Sequence, residues 1–68
     1  MQQQIRAQID ERPFQRFSIQ MNDGRSIEVP NYDHIMVGQF ATTVEDDTGV
    51  IRILPYRNIS GITVDTNN

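Results

Sequence analysis

The chain's one histidine, His34, directly follows Asp33, and Ser18, Ser26 and Ser60 complete the residue types of a Ser-His-Asp nucleophilic site. Spacing argues against that chemistry. Neighbours in a strand point to opposite faces, so an extended Asp33-His34 pair aims its side chains apart, and no serine stands in a glycine-flanked elbow. His34 reads instead as a polar residue where a strand begins. The run Glu45-Asp46-Asp47-Thr48 offers oxygens to a hard cation, but calcium loops spread their ligands over about 12 residues, and this cluster reads as a solvated hairpin tip. All six bases are arginine (Arg6, Arg12, Arg16, Arg25, Arg52 and Arg57), which excludes Schiff-base and phosphate-loop lysine mechanisms, and the absence of cysteine excludes thiolate zinc sites and disulfides. The four glycines match neither phosphate-binding spacing. No catalytic, metal or cofactor residue is expected, and no small-molecule substrate is evident.

Recognition by contact is the remaining chemistry. Phe14, Phe17 and Phe40 are assigned to packing, which leaves Tyr32 and Tyr56, both in turns, as the surface aromatics. Arg57 is the arginine assigned to anion contact.

The elements that must position these residues follow from the period of the apolar side chains. Met1, Ile5 and Ile9 recur every four residues and predict a helix over residues 1–12, ended by Pro13. The period then drops to two. Phe17, Ile19 and Met21 alternate with Ser18 and Gln20, and after Asn22-Asp23-Gly24 the pattern resumes at Ile27 and Val29, which predicts a hairpin whose turn needs the positive φ of Gly24. Pro30 ends it. Two further β-rich runs flank the acidic turn Glu45 to Gly49 and predict a second hairpin, with Gly38 marking a bulge or bend in the first of them. Val50, Ile51, Ile53 and Leu54 are apolar on both parities, so that strand is expected to be covered on both faces. A tight turn at Tyr56 to Asn58 precedes a last short strand with Ile62 and Val64 inward. Residues 65–68 are expected to fray.

One helix and five strands in 68 residues predict a single domain, mainly β with an N-terminal α-helix, in which residues 14–64 form a small, strongly bent five-stranded antiparallel barrel of Sm-like or SH3-like kind. A chain of this size buries only about 60% of its unfolded surface, so an uncrosslinked core favours oligomerisation.

This order, with "SIQMNDGRSI", "NYDHIMV" and the terminal "YRNISGITV", resembles the Sm/Lsm fold and its bacterial form, the Hfq RNA chaperones. The opening "RPFQRFSIQMNDGR" also resembles a group of small uncharacterised bacterial proteins with an RPFxxFxIxxxDGR pattern. The Sm-like resemblance implies that the turn Tyr56 to Asn58 faces a central pore and holds uridine phosphates through Arg57, with His34 stacking on bases; Tyr32, as a surface aromatic, is a further candidate for nucleic-acid contact. It also implies that rings close between subunits at the last two strands. The sequence departs from the pattern: Asn58 stands where that family has histidine, Pro30 shortens the second strand, and the net charge is −3, which opposes broad attraction to phosphate.

No apolar run approaches the roughly 20 residues of a membrane helix, and "MQQQIRAQIDER" lacks the layout of a secretory signal, so a cytoplasmic protein without membrane contact is expected. The expected function is a non-catalytic module that binds itself or a protein partner through strand edges, at Val50, Ile51, Arg52, Ile53, Leu54, Ile62 and Val64. Single-stranded RNA binding in the manner of Hfq is the alternative.

Overall fold

Met1, Ile5 and Ile9 share one stripe of a helix, α1, that runs from Gln2 to Ile9 in the computed structural model, which describes residues 1–64. The helix is shorter than the expected 1–12 and ends at a cap on Asp10, beyond which Arg12 folds back: its Nη1 donates to the carbonyl of Ile9, an acceptor that the helix end leaves free, and to that of Glu11, at 2.7 and 2.8 Å. Ile5 is wholly buried, and Met1 and Ile9 pack beside it. The expected frayed tail, 65–68, lies outside the described residues.

Six strands follow: β1 (Phe17–Met21), β2 (Ser26–Val29), β3 (Ile35–Val37), β4 (Ala41–Glu45), β5 (Ile51–Pro55) and β6 (Ile59–Val64). Single turns of 3-10 helix at Tyr32–His34 and Tyr56–Asn58 precede β3 and β6. They form two three-stranded antiparallel sheets, ordered β2-β1-β6 and β3-β4-β5, in place of the five strands of one closed sheet. Gly38 supplies the extra strand. Its N–H donates to Ala41 O at 2.9 Å, so the expected bend is a full reversal between β3 and β4, and a Cβ there would stand 2.8 Å from that same carbonyl oxygen. Gly24 and Gly49 occupy the positive-φ positions of the β1–β2 and β4–β5 turns, as the two predicted hairpins require.

The first sheet carries most of the core. Phe17, Ile19 and Met21 of β1, Ile27 and Val29 of β2 and Ile59 of β6 are buried, with registers Phe17↔Val29 and Ile19↔Ile27 placing them on one face. The second sheet adds Val44 and Leu54, together with Thr42, whose Oγ1 satisfies itself on Met36 O at 2.9 Å. Each such apolar side chain stabilises the fold by roughly 1.5–3 kcal/mol. Two packing expectations fail here. Phe17 is buried and Phe14 half-buried, but Phe40 is 79% exposed, because the Gly38 reversal puts it at the tip of a turn. Only Leu54 of the apolar β5 run is buried, since β4 covers one edge of that strand and the first sheet only one of its faces.

Candidate functional site

Hydrogen bonds at the two ends of the β4–β5 ladder decide which backbone groups β5 presents outward. Asp46 N–H donates to Val50 O at 3.0 Å and Tyr56 N–H donates to Phe40 O at 3.1 Å, in the same register that pairs Val44 with Arg52 and Thr42 with Leu54. Bonded pairs alternate along an antiparallel ladder, so Val50, Arg52, Leu54 and Tyr56 turn their backbone groups toward β4. Ile51, Ile53 and Pro55 therefore turn theirs away from it. Among the described residues no strand of the second sheet lies on that side.

The same residues expose their side chains. Ile51 is 62% and Ile53 70% exposed, and with Met36 at 73% they leave apolar groups on the outer face of the second sheet, in register with Thr43 of β4. Val50 is also exposed, whereas Leu54 points into the core. Arg52, the one charge on the strand, is bound within its own chain: its Nη1 donates to Asp46 Oδ2 at 2.9 Å. Asp46 organises the whole turn, accepting from the Thr48 hydroxyl at 2.6 Å and from the N–H groups of Thr48 and Val50. The Thr48 hydroxyl first, and then Arg52, hold the Asp46 carboxyl well below the usual carboxylate range. Its oxygens are thus committed to the turn rather than offered to a cation.

The edges of β3 and β2 are guarded, and that of β6 differs from β5 in its side chains. Gly38 N–H bonded to Ala41 O leaves the outward groups of β3 to Ile35 and Val37, where α1 packs, and Gln2 Nε2 ties the helix to Gly38 O at 3.0 Å. β2 is four residues long, ends before Pro30 and carries Glu28 paired with Arg16. β6 turns the backbone of Ile62 and Val64 outward, by the parity that Met21 N–H→Arg25 O and Asn22 N–H→Asn58 O impose on β1. Both side chains, however, are half-buried against the core.

The residues expected to meet nucleic acid fall into two groups at opposite ends of the second sheet. Tyr32 lies under the Arg12 guanidinium at 4.5 Å and against the edge of Phe14. His34 is not aimed away from Asp33: both lie in a 3-10 turn, and His34 Nε2 stands 3.7 Å from Asp33 Oδ1 and Nδ1 3.9 Å from Asp47 Oδ1. Nδ1 is buried and makes no hydrogen bond. This histidine sits among carboxylates, beside a groove of about 180 Å³ lined by Asp33, Met36, Thr43, Glu45 and Ile51. Tyr56 belongs to the far end, where its hydroxyl donates to Gly38 O at 2.6 Å and burial pushes its phenol up. Arg57 and Asn58 follow, their carbonyls held by Asn22 at 2.9 and 2.8 Å. The length of β4, on the order of 15 Å at strand rise, separates the two groups. Arg57 is exposed and makes no ion pair among the described residues.

Ser26 Oγ accepts from Gln20, and Ser60 Oγ donates to Gln20 O, so both serines belong to the first sheet and neither approaches His34. Met36, which has no role in the sequence reading, and Phe40, assigned there to packing, are both exposed. The parity of Met36, opposite Thr43, was the available signal. Among the described residues no helix is long and apolar enough to cross a membrane. No protein-family model, curated protein or solved structure matches the chain.

Proposed function

We propose that the protein is a non-catalytic interaction module that associates with itself through the open edge of β5. The observation that carries this reading is the coincidence, at Ile51 and Ile53, of unpaired backbone groups with exposed apolar side chains. An unpaired strand edge adds a further strand readily, and natural edges are usually blunted by lysine, proline, bulges or a covering helix. β3 has its helix and β2 its proline and ion pair; β5 has Pro55 only at its far end and Arg52 tied back to Asp46 of its own chain, so Ile51 and Ile53 are left unguarded. Contiguous exposed apolar groups such as Met36, Ile51 and Ile53 support the same reading.

The two sheets also suit a bent, Sm-like or SH3-like barrel in which Pro30 and the Tyr32–His34 turn interrupt one long strand shared between the halves. That assignment is part of the proposal. RNA binding has less support, because Asp33 and Asp47 flank His34 while Arg57 stands at the other end of the sheet.

Light scattering or sedimentation velocity tests the reading. The chain is expected to exceed monomer mass at roughly 100 µM, and Ile53→Lys to weaken association at least about tenfold without loss of fold. A strict monomer across that range overturns it. Retention of oligo-uridine at low salt, abolished by Arg57→Ala, would favour the RNA reading instead.

A further inference from the structure

Resting on the self-association reading, we infer that the occupant of the β5 edge is the β5 strand of a second copy, paired antiparallel about a two-fold axis at Ile53. Three strands could fill the edge: a foreign strand, the second copy's β6, or its β5. Backbone parity, proline placement and charge select the last.

In an antiparallel pair centred on Ile53, residue 53 + k of one copy lies opposite 53 − k of the other. Ile53 then faces the partner's Ile53, and Ile51 faces the partner's Pro55. Every outward N–H of β5 finds an acceptor: Ile53 N–H on the partner's Ile53 O, and Ile51 N–H on the partner's Pro55 O. Proline has no N–H, so it loses no donor by standing opposite Ile51. Centring the axis on Arg52 makes as many bonds but sets Arg52 against its own copy at the closely spaced position, where like charges destabilise. On the outer face, Ile53 packs on the partner's Ile53 and Ile51 on the partner's Pro55.

Charge points the same way. Arg57, four residues beyond the axis, comes against the partner's Gly49, within the Asp46–Val50 turn whose tip carries Asp47. Among the described residues the largely exposed Asp47 has only His34, at 3.9 Å, as a possible charge partner, and the exposed Arg57 has none. The two-fold makes this contact twice. An antiparallel β5-to-β6 joint does the opposite: the end of β5 at Pro55 meets the start of the partner's β6, and Arg57 approaches the partner's Arg57. An isologous joint also closes as a dimer and leaves no further β5 edge. The interface is of the small, weak class, below about 1,200 Å² in total.

The absence of cysteine makes the geometry testable by single substitutions. Opposed residues of a bonded antiparallel pair have Cα atoms about 5.5 Å apart, within disulfide range. Under mild oxidation, Ile53→Cys is expected to form a disulfide-linked dimer at least about tenfold faster than Ile51→Cys, whose copies lie two residues to either side of the axis. Arg57→Asp is expected to weaken association about tenfold across two exposed pairs, and Asp47→Arg in the same chain to restore it. All four positions are exposed, and circular dichroism is the check that each variant folds. A chain that associates but crosslinks no faster at Ile53 than at Ile51, or faster in a mixture of Ile53→Cys with Ile62→Cys, overturns the two-fold joint and leaves self-association standing. A chain that stays monomeric overturns both.

Discussion

The two sheets obey the same alternation and have the same number of strands, yet their outer faces differ. The face of the first sheet turned to solvent is built from Ser18, Gln20, Ser26, Glu28 and Thr63, with Gln20 Nε2 donating to both Ser26 and Thr63 and Arg16 paired with Glu28. The second sheet presents Met36, Ile51 and Ile53. Their inner faces differ in the reverse sense: six of the nine buried apolar residues come from the first sheet and two from the second, the ninth being Ile5 of the helix. The first sheet therefore anchors the fold. The second leaves Met36, Ile51 and Ile53 uncovered among the described residues, which is why association is proposed there.

Core truncation should separate the sheets most sharply. Phe17→Ala is expected to cost about 3–5 kcal/mol, enough to unfold most of a small chain, whereas Ile51→Ala, measured by urea unfolding at concentrations below association, stays within about 0.5 kcal/mol. Equal losses would erase the distinction between anchor and surface. Glycine substitutions come next. At Gly38 an added Cβ meets Ala41 O at 2.8 Å, while at Gly61 of the first sheet nothing lies within 4 Å. Gly38→Ala should cost about 1–3 kcal/mol and speed amide exchange in β3 and β4 first, with Gly61→Ala close to neutral.

The smallest effect is on pH dependence and compares the two hairpin turns. Asp46 is lowered chiefly by the Thr48 hydroxyl and Arg52, and Asp23, in the first sheet's turn, is lowered less, chiefly by the Arg25 N–H. A carboxylate lowered in the native state stabilises it above the unfolded value near about 3.9, and that stabilisation fades as pH falls through the lower native value. Thermal melts between about pH 6 and pH 2 should lose more of their slope in Asp46→Asn than in Asp23→Asn. The reverse order would mean that the second sheet's turn is not the better organised one.

Several elements were legible in advance because their signals are local. Asp23-Gly24 and the Asp46–Gly49 run specify turns by residue type, and both hairpins formed where those residues stand. Met1, Ile5 and Ile9 specified the helix face, though not its end, which falls at the Asp10 cap with Arg12 folded back beyond it. The Gly38 reversal was half visible: a glycine in a strand pattern announces a departure from regularity, but the close approach of Ala41 O decides its size.

What the sequence determined by itself is periodicity: which residues share a face, where the chain can reverse, and which chemistries lack their side chains. Tertiary structure decided which face is inside. In β5 both parities are apolar, so alternation alone is silent; the strand turned Leu54 inward because β4, paired to it, buries Thr42 and Val44 on that side. That choice left Ile51 and Ile53 on the outer face and, with no neighbouring strand beyond β5 among the described residues, their backbone groups on an open edge. Sheet order and side-chain orientation depend on contacts between residues far apart in the chain, and no local spacing encodes them.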